Sequence, residues 1–150
     1  MTDRSYVAEN AAASAELREL AASLSQADLA ADLGDGWNVS MALAHLAFWD
    51  AWHVARWQHA AASGDIAPVY VGGDVTGRAN EALLETWRAL PAASAVALAL
   101  AAAEVADSFV ADLEDDALDA AIERGGPNWV QRFPHRREHI GQIRRALGRD

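Results

Sequence analysis

Two histidines near the end of the chain have the spacing of a metal-binding pair. His135 and His139 are four residues apart in a segment predicted to be helical. At 3.6 residues per turn their imidazoles lie on one face of the helix, one turn apart, and can reach the same metal ion. The spacing alone is weak evidence, because two half-buried histidines among arginines would show it too. A metal site therefore needs a further ligand from another part of the chain.

The same segment also fits the inverted zincin motif H-x-x-E-H, in which Glu138 would be the catalytic base. We do not expect that activity. Such proteases need an acidic ligand well downstream and a larger framework, and only 11 residues follow His139. We instead interpret Glu138 as a charged residue on the solvent-exposed face of the helix, or as a residue close to the metal ion without a catalytic role in proteolysis.

His45 is the best candidate for the third ligand, since it lies in the middle of a predicted helix among apolar residues. A histidine on an apolar face is more often a core residue with a hydrogen-bond partner, so this alternative stays open. His53 lies about 80° around the same helix and is a reserve ligand or a pocket residue. His59 is near the exposed end of the helix, and we do not expect it to be a ligand.

The composition excludes several classes of function. The chain has no cysteine, so it has no disulfide, no thiolate metal site and no cysteine nucleophile, and any thiol must come from outside. The net charge is −10 and every basic residue is arginine, which argues against nucleic-acid or membrane partners. Six of the arginines follow residue 131, and we expect them on the outer face of the last helix. They are Arg132, Arg136, Arg137, Arg144, Arg145 and Arg149.

The elements that must position these histidines are helices. The length of 150 residues predicts one domain, 1–150, with a single core. Helices are predicted over residues 3–23, 38–63, 75–90, 91–113 and 133–148, with an acidic and then irregular segment over 115–127. A loop over 64–73 contains a strand-like Val69-Tyr70-Val71, which is too short and isolated to predict a sheet. The pattern predicts an all-α, up-and-down four-helix bundle with a short extra helix or irregular segment.

The predicted location is the cytoplasm. The first residues, Met1 to Arg4, do not have the pattern of a signal peptide. The most apolar run, 92–103, is short and is followed by Glu104 and Asp107, so we do not expect it to span a membrane.

Three groups of residues, in this order, resemble the DinB/YfiT-like superfamily. The first is Trp37-Asn38-Val39-Ser40 with Ala44-His45-Leu46-Ala47 and Trp49-Asp50, and the second is Asn80-Glu81-Ala82-Leu83 with residues 87–91. The third is His135-x-x-x-His139-x-x-Gln142-Ile143. The resemblance implies a four-helix bundle, often a homodimer, in which a divalent metal ion is held by His45, His135 and His139. Zinc and nickel suit imidazole ligands best.

Three neutral ligands leave the charge of the metal intact and leave coordination positions open, as in catalytic sites. One function that fits is a transferase in which the metal activates a low-molecular-weight thiol as co-substrate, and the resemblance implies such enzymes. The alternatives are a hydrolase that uses metal-bound hydroxide and a stress protein that binds a metal or small molecule without turnover. The sequence identifies no catalytic acid or base and no particular small-molecule substrate. The residues expected beside the metal or around the pocket are Gln142, Trp49, Asp50, Trp52, His53 and Arg56.

Overall fold

The computed structural model describes residues 2–64 and 73–149, and within these ranges the chain is predominantly α-helical, as predicted. A two-stranded antiparallel hairpin, β1 (Asp32–Gly34) with β2 (Trp37–Asn38), is the only sheet among the described residues. A 3₁₀ turn, Pro127–Trp129, precedes the last helix. The helices in chain order are α1 (Ser5–Ser23), α2 (Gln26–Leu29), α3 (Val39–Ser63), α4 (Gly73–Ala89), α5 (Ala92–Ala111), α6 (Asp115–Gly125) and α7 (Phe133–Ala146).

The helix that carries His45 has the start and the end that the sequence predicts. The Asn38 side chain accepts a hydrogen bond of 2.9 Å from the backbone N–H of Met41, which satisfies one of the free donors at the start of α3. Gly64 ends the helix in the left-handed conformation, with φ +68°. These two caps fix α3 as a helix of 25 residues.

The core is built around α3, which packs against α5, α4 and α7, while α1 packs against α5 and α7. Alanines make the closest of these contacts possible. Ala95, Ala99, Ala103 and Ala106 form the buried stripe of α5, and their small side chains let neighbouring helices approach closely. On α7, Ile140 and Ile143 close the same apolar cluster. The packing thus brings the middle of α3 beside the first turns of α7.

Helix α5 differs from the prediction in one respect. Over its 20 residues it is long and apolar enough, by length and composition alone, to cross a membrane. The core helix of a soluble protein passes the same test, and one face of α5 is buried in this core. Its opposite face exposes Leu98 and Val105.

Two elements were incompletely predicted. Residues 34–36, where the sequence Gly-Asp-Gly predicts only a break between helices, form the turn of a hairpin, in which Gly34, Asp35 and Gly36 all have positive φ. The acidic segment after residue 114 is helical, because Asp115 and Asp116 favour the positive end of a helix dipole and Leu118 and Ala121 bury its inner face. The predicted loop over 64–73, with its strand-like triplet, lies almost wholly outside the described residues.

Candidate metal centre

The three histidines predicted as ligands come together where α3 meets α7. His45 is buried on α3, and His135 and His139 lie one turn apart on α7, half-buried. One ligand nitrogen from each residue can be chosen so that all three lie within 4.8 Å of one another. The ring centroids are 4.8–5.0 Å apart. Three close histidines that can hold a metal ion are therefore present.

The spacing of these nitrogens is near that required by a metal ion. Three imidazole nitrogens at about 2.0–2.1 Å from a tetrahedral ion lie roughly 3.3–3.4 Å from one another. The Nε2 atoms of His45 and His135 are 3.0 Å apart. The chosen nitrogens of the three rings lie within 4.8 Å of one another, so the rings must come somewhat closer together to share one ion.

Hydrogen bonds identify which nitrogen of each ring is free. His139 Nδ1 donates to Gln142 Oε1 at 3.0 Å, which leaves its Nε2 lone pair available for a metal. Arg132 Nη2 lies 3.2 Å from His135 Nδ1 and can only donate, so His135 carries its hydrogen on Nε2 and directs it at His45 Nε2. His45 Nδ1 is then the protonated nitrogen of that ring, and it is buried without a hydrogen-bond partner. A metal ion would take the place of the hydrogen that His45 and His135 share.

Burial keeps the three imidazoles neutral, which is the form that ligates metals. It lowers the pKa of His45 to about 3, with further contributions from His139 and Arg132. Burial, followed by the charge of Arg132, lowers the pKa of His135 to about 2. Burial also lowers the pKa of His139.

Aromatic rings enclose the cluster from the side of α3 and α4. Trp37, Trp49 and Trp87 have ring centroids 5.2–6.3 Å from that of His45, each roughly edge to face. The indole N–H of Trp49 donates to Asn80 Oδ1 at 3.1 Å, which holds this ring in place. Asn80 was noted in the sequence only through the family resemblance, and the structure gives it this contact.

The open side of the cluster faces a cavity of about 670 Å³, within the range of small-molecule sites. All three histidines line it. Of the residues predicted around the pocket, Trp49, Trp52, His53, Arg56 and Gln142 line it as well. Its wall therefore combines imidazole, indole, guanidinium and amide groups.

Asp50, the remaining predicted pocket residue, lies elsewhere. It is fully buried, does not line this cavity, and accepts hydrogen bonds from Arg132 Nε at 2.7 Å and Arg136 Nε at 3.0 Å. Arg136 also donates to Asp107 at 2.7 Å and to Ser14 at 3.0 Å. These residues form what we call the ionic network, and Arg132 connects it to His135.

The expectation that the late arginines lie on the outer face of α7 was wrong for Arg136, which is fully buried, and for Arg132, which is mostly buried. A sequence signal for Arg136 exists, because it precedes Ile140 and Ile143 at helical spacing and so belongs to the buried stripe. Its partners are far away in sequence, and the spacing on α7 does not identify them.

Comparisons with protein-family models, curated proteins and solved structures yield no match for this chain. The resemblance to the DinB/YfiT-like superfamily therefore stays a prediction.

Proposed function

We propose that the chain is a metal-dependent transferase acting with a low-molecular-weight thiol, built as an up-and-down four-helix bundle of the DinB/YfiT-like kind. The observation that carries the proposal is the convergence of His45, His135 and His139 on the wall of a cavity large enough for a small molecule. The fold part is supported by the packing of α1, α3, α5 and α7, each of which contacts two others in the group.

The residues fit a divalent ion for two reasons. All three donors are imidazoles, which suit zinc and nickel. One nitrogen from each of the three rings lies within 4.8 Å of the other two, and burial keeps the rings in the neutral form that ligates metal ions. When bound, the ion would lower the pKa of a coordinated thiol or water.

The chain's own residues define where the reaction would take place. Gln142 orients His139, and the indole rings around His45 exclude water from one side of the site. No cysteine is available in the chain, so the nucleophilic sulfur must enter through the cavity. Trp49 and Trp52 give that cavity an apolar wall suited to an organic electrophile.

One observation favours hydrolysis as a second candidate function. Glu138 lines the cavity, and its charge acts on His139. A carboxylate in that position can serve as a general base for water, a role that thiol transfer does not require.

The test begins with the metal content of the purified protein, measured by elemental analysis. We expect about one zinc or nickel ion per chain, and substitution of His45, His135 or His139 by alanine should remove it. His59→Ala is the matched control, since His59 is an exposed histidine on the same helix α3 and should leave the metal in place.

Activity is then measured with a panel of thiols and electrophiles. The metal-loaded protein should conjugate a thiol faster than the background reaction, and His139→Ala should abolish the excess. Equal rates for the two proteins across the panel would refute the transferase. Cleavage of esters or amides without any thiol, lost in Glu138→Gln, would favour the hydrolase.

A further inference from the structure

Arg56 lies at the opposite end of the cavity from the histidines. It follows His45 by 11 residues on α3, which places it about 16 Å further along the helix axis and within about 20° of the same face. Both residues line the cavity. The cavity therefore extends along α3 from the metal-binding histidines to a guanidinium group.

This guanidinium has no acidic partner. Its Nη2 donates to the backbone oxygen of Asn128 and to His53 Nδ1, both at 3.1 Å. Its Nε is buried without a hydrogen-bond partner, and within residues 2–64 and 73–149 no carboxylate lies within 4.0 Å of it. Arg132, the other arginine of the cavity wall, is by contrast paired with Asp50.

The position of Arg56 is fixed by aromatic packing. Its Cζ atom lies 4.0 Å from the ring centroid of Trp129, which is a cation–π contact. Trp129 in turn requires a glycine beside it, because a Cβ atom on Gly125 would lie 1.8 Å from its Nε1. A planar cation held on an indole ring is already oriented to bind a ligand through Nη1, the nitrogen that is not buried and has no hydrogen bond to any described residue.

The charges along the cavity wall favour a carboxylate at this end. The acidic residues of the wall are Asp35 and Glu138. Asp35 lies two residues before Trp37, whose ring contacts His45, and Glu138 is next to His139, so both acidic groups belong to the histidine end. A single guanidinium without an acidic partner among the described residues balances the one charge of a carboxylate, and its Nη1 can donate to a carboxylate oxygen.

We propose that Arg56 is an anion-binding subsite that holds the carboxylate of a small molecule whose other end reaches the three histidines. This inference rests on the proposed function only in assigning the substrate to this cavity. It restricts the substrate class to extended carboxylates, with the reactive group remote from the carboxylate.

The experiment is a calorimetric titration of the zinc-loaded protein with hexanoate, with hexanamide as the neutral analogue and hexyl phosphate as the alternative anion. Hexanoate should bind at least tenfold more tightly than hexanamide, and Arg56→Gln should remove that difference. Arg56→Lys, which keeps the charge without the planar fork, should give an intermediate affinity. Arg18→Gln is the matched control, since Arg18 is exposed on α1 and its substitution makes the same change in net charge.

Equal affinity for hexanoate and hexanamide would overturn the subsite. Hexanoate binding that is unchanged in Arg56→Gln but lost in His139→Ala would also overturn it, because the carboxylate would then bind the metal. Tighter binding of hexyl phosphate would overturn the assignment to a carboxylate. Zinc content is measured on every variant. If the protein does not bind zinc but hexanoate binding still depends on Arg56, the proposed function is refuted and the Arg56 subsite is supported.

Discussion

The histidine cluster and the ionic network both connect α3 with the α7 region, but the polar groups of the network are bonded to one another and those of the cluster are largely not. In the ionic network, Asp50 and Arg136 are completely buried and bonded to each other and to further partners. In the histidine cluster, His45 Nδ1 has no partner and the other two rings face a cavity. Buried polar groups that satisfy one another hold helices together, whereas imidazoles that face a cavity can bind a ligand there.

Arg132 is the residue that joins the two regions. Its Nε pairs with Asp50, and its Nη2 donates to His135 Nδ1. For His135 to offer Nε2 to a metal, its hydrogen must move to Nδ1, and the bond from Arg132 must then be lost. Metal binding at the cluster is thus coupled to a contact of the ionic network.

The largest expected effect comes from breaking the ionic network. Asp50→Ala removes the buried carboxylate that Arg132 and Arg136 share and should lower the free energy of unfolding by about 3–5 kcal/mol. Urea denaturation followed by circular dichroism measures it. Asp74→Ala is the control, because Asp74 pairs with Arg78 on the surface of α4 and should cost less than about 1 kcal/mol. Similar losses in the two variants would show that the network does not stabilise the fold as described.

A smaller effect is expected where the two regions meet. Arg132→Gln removes a cation beside His135 and should increase zinc affinity by roughly tenfold, about 1.4 kcal/mol. A competition titration with a chromophoric chelator measures the change. Arg137→Gln makes the same charge change on α7 but affects an arginine paired with Glu9 and Glu16, away from the cluster. Weaker zinc binding in Arg132→Gln would mean that Arg132 supports the ligands instead of opposing the metal.

The smallest effect should come from the histidine cluster itself. In metal-free protein, His45→Leu removes a buried N–H that has no partner, together with the hydrogen bond from His135, and should change the free energy of unfolding by no more than about 1 kcal/mol. Leu43→Ala on the same helix, at a fully buried core position, should lose about 2–5 kcal/mol and shows that the urea assay is sensitive. A loss of that size in His45→Leu would make His45 a structural residue.

The sequence predicted the parts of this arrangement that are local. The spacing of His135 and His139 determines that they share a face of α7, and the caps at Asn38 and Gly64 determine the extent of α3. The meeting of His45 with α7 depends on helix packing over 90 residues of chain. The residues made His45 only a candidate ligand, and the family resemblance is what implied that it joins His135 and His139.

Long-range pairing explains what was missed. Arg136 was assigned to the surface because arginine is rarely buried, and its burial depends on Asp50 and Asp107, each on a different helix. The unpaired state of Arg56 is likewise invisible in the sequence, since acidic residues are abundant in the chain and only the fold shows that none of the described ones reaches it.

The most direct test of the central claim is the zinc K-edge X-ray absorption spectrum of protein loaded with one equivalent of zinc. Three imidazole ligands at about 2.0–2.1 Å are expected, with the remaining coordination positions filled by oxygen from solvent. The His139→Ala variant should no longer retain the ion. A spectrum with fewer than three imidazoles, unchanged in His139→Ala, would contradict a metal centre formed by His45, His135 and His139.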